Sequence, residues 1–194
     1  MKNYFIVGLL FCSQLSGMDV EPYIDDAQLD RDSAHIIKLF QNDIDFLFHS
    51  PDQFNPEYIK WEIENKRVHS VWPIKEEDYE PPFYQKVLRR DTHLVGLVSY
   101  IVAKEDGRLK KTYSDQGKAG WLWQVCVDSS FRRKGYGKRM LESALSHLKM
   151  LDVETVSGFV RAYNYAAISL YQKLGFEQYQ VLDKHNSLLF RKKL

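Results

Sequence analysis

The run Arg132-Arg133-Lys134-Gly135-Tyr136-Gly137, continued by Lys138-Arg139, stands between an apolar stretch that ends at Val127 and a helical pattern that starts at Met140. The order strand, glycine-bearing turn, helix brings the unbonded N–H groups of a helix start to the end of a sheet strand, where they and the helix dipole favour an anion. Glycines 135 and 137 let the main chain approach that anion closely, so a phosphate is a natural guest. A lone GxG is a weak signal, and a solvated basic turn has the same composition. Neither GxxxxGK followed by Ser or Thr nor GxGxxG after a first strand is present, which removes the P-loop and the dinucleotide fold. A second stretch places Asn164 seven residues before Tyr171, with Gly175 beyond. A phenol with a reference pKa of about 10 is protonated at neutral pH and can donate a proton. By periodicity alone, Tyr171 shares a helical face with Ala167, Leu170 and Leu174 and reads as a core aromatic, while Asn164 reads as a helix cap.

The 194 residues carry a formal charge of +1, with 44% hydrophobic and 14% aromatic content. A chain of this size and composition supports one compact domain with a real core. Near-neutral charge excludes a global basic field for nucleic acid or an anionic membrane, so the basic cluster acts locally. Cys12 and Cys126 form no disulfide framework, and without paired Cys/His spacing no metal site is indicated; Cys126 reads as a buried strand residue. The histidines at 35, 49, 69, 93, 147 and 185 are scattered and read as structural or exposed.

The first 17 residues, with Lys2 followed by an apolar run from Tyr4 to Cys12, have the layout of a secretory signal peptide, although Leu15 and Gly17 make a mediocre cleavage site. A mis-assigned start, with Met18 as the true first residue, is the rival reading. The first implies export and the second a cytoplasmic protein; either way the folded domain is 18–194. The apolar run is too short to span a membrane, and no other candidate span is present.

The elements that must hold the two motifs follow from spacing. Val20 to Ile24 reads as a strand, and Ile36, Ile37, Phe40, Ile44, Leu47 and Phe48 as one or two amphipathic helices. Asn55-Pro56-Glu57 starts a short helix, and His69 to Pro82 reads as irregular. Phe83 to Leu88 and Leu94 to Val102 form a hairpin, with Trp121 to Val127 as the third strand of an antiparallel meander. Met140, Leu141, Ala144, Leu145 and Leu148 line one helical face. Thr155 to Val160 is a strand, Tyr165 to Leu174 a helix stopped by Gly175, and 177–182 and 187–191 close the fold. The fold class is therefore α+β, a single domain with a mixed central sheet flanked by helices.

The segment from Trp123 to Leu141 resembles the signature of the GNAT superfamily of N-acetyltransferases, whose core Gln/Arg-x-x-Gly-x-Gly/Ala is filled by Arg132, Gly135 and Gly137. Asn164 to Phe176 is similar to a later motif of that family, in the same order and at a matching interval. The resemblance implies a GNAT-like fold and an acetyl-CoA site. Main-chain amides of Arg133 to Lys138, Tyr136 included, would hold the diphosphate, with Lys134, Lys138 and Arg139 as helpers. Val125 and Val127 would pair with the pantetheine arm, Asn164 would contact it, and Tyr171 would protonate the departing thiolate. Backbone N–H groups of 121–127 are the expected oxyanion donors.

Many members place a carboxylate on that strand, but Gly120 to Val127 has none and Asp128 follows too late, so ordered water or another segment takes the proton from the amine. The acceptor side falls to Gln41 to Pro82, with Phe54, Tyr58, Trp61, Trp72 and Tyr79 beside the acids Glu76, Glu77, Asp78 and Glu80. These could receive a cationic amine or form a solvated loop over core aromatics. The implied activity is acetyl transfer to a primary amine of a small molecule or peptide, without a metal. The rival is a non-catalytic acyl-CoA-binding module on the same scaffold. Members of the family often pair, so a homodimer is compatible with the resemblance.

Overall fold

The computed structural model of the protein describes residues 23–42, 55–65, 79–105, 117–182 and 186–194. The leader, most of the first expected strand, and Phe54, Trp72, Glu76, Glu77 and Asp78 lie outside them. Among the described residues one sheet contains β1 (Tyr23–Asp26), β2 (Tyr79–Arg90), β3 (His93–Ala103), β4 (Ala119–Val127), β5 (Thr155–Arg161), β6 (Glu177–Leu182) and β7 (Ser187–Lys193), in the order β1-β2-β3-β4-β5-β7-β6. Four helices accompany it: α1 (Leu29–Asn42), α2 (Pro56–Asn65), α3 (Tyr136–Met150) and α4 (Tyr165–Lys173).

The meander β2-β3-β4 is antiparallel, and β5 joins β4 in parallel, so α3 is the crossover that a parallel pair requires. The expected apolar stripe of α3 is buried against one sheet face with Leu88, Val98, Tyr100, Leu122 and Tyr171. On the other face α1 and α2 cover Val87, Leu94, Leu97 and Cys126 with Ile36, Leu39, Phe40, Ile59 and Ile63. Cys126 is thus the buried strand residue its setting implied.

Local chemistry sets the ends of the helices. The Asn55 side chain accepts the Glu57 N–H at 2.9 Å, as the Asn-Pro-Glu start requires. At α1 the Asp32 carboxylate reaches back to the Gln28 N–H at 2.7 Å and also holds the buried Arg89 of β2. Gly175, with φ +77°, ends α4.

One expectation needs correction. Residues 79–82 belong to β2 rather than to an irregular segment. Pro81 and Pro82 are accommodated because β1 pairs with β2 only over Lys86 to Arg89, so among the described residues this end of β2 is an edge, and the register with β3 shifts between Glu80 and Tyr84.

Candidate active site

The site begins where β4 and β5 part. They pair only from Ala119 with Thr155 to Leu122 with Gly158; beyond that, Phe159 to Arg161 pair with β7 alone. Trp123 is an extra residue between the pairs Leu122 with Tyr100 and Gln124 with Ser99. A bulge bends its strand and adds twist, and it sits at the point of separation. The Asp128 N–H donates to Val95 O at 2.9 Å, so by antiparallel alternation Cys126 also faces β3, while Val125 and Val127 turn their main-chain groups toward the cleft.

At the open end, the turn into α3 holds Arg133 at φ +64° and Gly135 at φ +83°. The N–H groups of residues 133–138 have no acceptor among the described residues, and the first bond of the helix runs from Arg139 N–H to Gly135 O at 3.1 Å. Beyond the turn itself, no atom lies within 4 Å of where a Gly135 β-carbon would stand, so the turn is open on that side. Gly137 packs the first turn of α3 inward, its missing β-carbon 3.2 Å from Leu170 of α4 and 3.7 Å from Val127 of β4.

The cations of the turn are largely occupied by the protein. Arg132 Nε donates to Val127 O at 2.9 Å, tying the turn to the end of β4 and taking the one carbonyl of Val127 that faces the cleft. Lys134 donates to Ser130 O at 3.1 Å and lies over the Phe131 ring, and Lys138 pairs with Glu142 at 3.6 Å. Tyr136 stands edge-on to Phe131 with 6.2 Å between ring centroids. Asp128 caps the short turn Ser129–Phe131 by accepting the Ser130 N–H and hydroxyl. The Ser130 hydroxyl, with Arg132 and Lys38 nearby, holds its carboxyl below the usual range, so it stays ionised as a cap.

Tyr171 lies at the apex. Its ring is 5% exposed, stacked on Phe176 and edge-on to Phe190. Burial pushes its hydroxyl well above the usual phenol value, so it is protonated through the neutral range. Asn164 caps α4 through Oδ1, which accepts the Ala167 N–H at 3.2 Å, and its amide nitrogen has no partner among the described residues. Val125, Val127, residues 132–138 and Tyr171 thus follow β4 from the start of α3 to the fork, and Asn164 caps α4.

Other expected residues fall elsewhere. Tyr79 is fully buried in a core cluster, whereas Tyr58 and Trp61 are partly exposed on α2. Three features escaped sequence reasoning: Gly158 at the fork, the Trp123 bulge, and a polar row of Gln85, Ser99 and Gln124. The last left a readable trace, since Ser99 and Gln124 each interrupt an otherwise apolar strand.

The model of the Acetyltransferase (GNAT) family matches residues 45–176. The chain belongs to the GNAT family. This GNAT protein is 42% identical over 57 residues to a [Ribosomal protein bS18]-alanine N-acetyltransferase of Salmonella typhimurium, a match covering 29% of the chain and 38% of that relative's length. It is 29% identical over 131 residues to a spermine/spermidine N(1)-acetyltransferase of Bacillus subtilis, covering 66% of the chain and 82% of the relative. Among solved structures, a ribosomal-protein-alanine N-acetyltransferase from Brucella melitensis superposes with a TM-score of 0.66 at 20% identity, covering 89% of this chain and 99% of that one. An N-acetyltransferase from Thermoplasma acidophilum in complex with coenzyme A gives 0.60 at 17% identity, covering 90% and 99%. At these identities the superpositions describe the fold.

Proposed function

We propose that this protein is an acetyl-CoA-dependent N-acetyltransferase that acts on a primary amine by direct attack. The observation that carries the reading is the arrangement of one cleft, with unbonded helix-start amides at its mouth and a buried, protonated phenol at its apex. Acetyl-CoA supplies the acyl group as a thioester open to attack by an amine. The amides of residues 133–138 suit its diphosphate, because they have no acceptor among the described residues and the turn is open beside Gly135. Arg132 braces that turn rather than standing free for phosphate. Val125 offers N–H and C=O to the pantetheine arm, as an added strand would, and Val127 offers its N–H. The free amide nitrogen of Asn164 is a further donor.

Tyr171 gives its proton to the departing sulfur, and N–H groups along β4 polarise the thioester carbonyl. The described part of β4 holds no carboxylate, so the amine loses its proton to ordered water or to a group on another segment. Relatives named for acetylating a ribosomal-protein alanine and spermine or spermidine both act on amines, which supports the same class here.

Calorimetry with acetyl-CoA, followed by thiol release across a panel of amines, tests the reading. Binding with turnover of at least one amine is the expected result. Binding without turnover across the panel would assign the fold to a non-catalytic acyl-CoA-binding module, and loss of binding would remove the acetyl-CoA site itself.

A further inference from the structure

We propose that the Arg133 side chain reads the 3′-phosphate of the coenzyme, the phosphomonoester on its ribose, so that the protein separates coenzyme A from its dephospho form; this rests on the acetyl-CoA reading above. The main-chain amides of residues 133–138 are left to the diphosphate, and Arg133 adds a side-chain subsite beside them. The first ground is backbone conformation. Among the described residues, those other than glycine with positive φ are Asp91 at 53°, Arg133 at 64°, Asp152 at 60° and Asn186 at 47°. Asp and Asn enter the left-handed region most readily, because a short polar side chain can bond locally. Arg133 is the exception. A long cation kept in a strained turn, where glycine or asparagine would sit more easily, points to a use for the side chain itself.

The second ground is what the neighbouring cations do. Arg132 Nε donates to Val127 O, Lys134 Nζ donates to Ser130 O, Lys138 pairs with Glu142, and Arg139 has contacts of its own. Arg133 is exposed, and its guanidinium has no hydrogen bond, ion pair or ring contact among the described residues. No acidic residue stands between Ser129 and Arg139 to claim it. Within a turn whose other cations brace the protein, this one is left for a guest.

The chemistry of the coenzyme narrows the guest. Its diphosphate suits the run of unbonded N–H groups, which a helix start directs at an anion. The 3′-phosphate hangs from the ribose several bonds further on, and no main-chain donor of the turn is assigned to it. A phosphomonoester carries more charge than either phosphate of the diphosphate, and a planar guanidinium can meet two of its oxygens at once. Arg133 is the first residue of the amide run, so its long side chain starts where the cradle ends.

The test is calorimetry on the full chain at low ionic strength with coenzyme A and dephospho-coenzyme A, which differ only in the 3′-phosphate. The wild-type protein is expected to bind coenzyme A at least about tenfold more tightly, the scale of one charge-assisted contact. Arg133→Asn keeps a residue suited to positive φ and removes the cation; it is expected to bring the ratio close to one while affinity for dephospho-coenzyme A stays near wild type. Arg133→Lys, which keeps the charge without the fork, should fall between. Lys149→Gln removes the same charge from the last turn of α3 and should keep the wild-type ratio. A wild-type ratio near one, a ratio unchanged in Arg133→Asn, or an equal drop in Lys149→Gln would overturn the proposal. Equal loss of affinity for both ligands in Arg133→Asn would also overturn it, moving the side chain to the diphosphate. If Arg133→Asn fails to fold, the wild-type ratio and that of Arg133→Lys decide. Wild-type protein that binds neither ligand would overturn the acetyl-CoA site and this inference together.

Discussion

The phenolic oxygen of Tyr171 lies 3.4 Å from the position that a β-carbon on Gly158 would occupy, at the last residue pair before β4 and β5 separate. The same β-carbon would come within 3.2 Å of the Leu122 side chain, so the glycine keeps the end of the ladder close-packed beneath the hydroxyl.

Tyr171→Phe removes one oxygen and little volume. Turnover is expected to fall by about 10²–10⁴, the usual contribution of a positioned acid, while acetyl-CoA affinity measured by calorimetry stays close to wild type. Unchanged turnover at saturating substrates would take the acid role away from Tyr171. Gly158→Ala crowds Leu122 at the fork, beneath the same hydroxyl, and is expected to lower turnover in a protein that still folds.

Gly135→Val has room for its side chain, because nothing lies within 4 Å, but φ +83° is a conformation that a β-branched residue resists. A loss of about 1–2 kcal/mol in urea unfolding is expected, with acetyl-CoA affinity weakened as the turn relaxes. Gly135→Asn should keep more of both, since asparagine tolerates the left-handed region. Equal behaviour of the two variants would show that backbone conformation is not what the position demands.

Asp32 and Arg89 form an ion pair in which both side chains are almost wholly buried. Asp32→Ala leaves the Arg89 cation uncompensated, and a destabilisation of about 3–5 kcal/mol is expected from denaturation curves. Replacing both together, as Asp32→Leu with Arg89→Met, should cost less than Asp32→Ala alone. A double variant as unstable as the single one would show that the pair is not the source of the loss.

Burial raises the hydroxyls of both Tyr100 and Tyr171 above their unfolded value. Above the unfolded value of about 10 the unfolded chain loses these protons first, so the native state binds more protons and stability falls as pH rises. Below pH 10 this contribution is complete. Denaturation midpoints followed from pH 8 to 11 should therefore drop above 10, and Tyr100→Phe with Tyr171→Phe should flatten that drop.

The site was legible to unequal degrees. The RRKGYG turn and the Asn164 to Gly175 helix could be read because each carries its own punctuation, glycines and a capping side chain at helix boundaries. The burial of α3 on one stripe followed from its 3.6-residue period. Gly158 was not legible: its meaning depends on where Tyr171 of another element comes to rest. The bulge at Trp123 leaves no mark in WLWQVCV, because only the register with β3 creates it. Arg132 could be read only as part of the motif, and the carbonyl that claims its side chain is visible only once β4 and the turn are placed together. The strand end at Tyr79 to Pro82 was hidden by its prolines, which an edge tolerates and an interior does not.

The short β4–β5 ladder has a mechanical meaning as well. It joins two antiparallel blocks, β1-β2-β3-β4 on one side and β5-β7-β6 on the other, along only Ala119 to Leu122. A long coenzyme lying in the gap would act as a suture across that seam, and amide hydrogen exchange in these four residues should slow when acetyl-CoA is added.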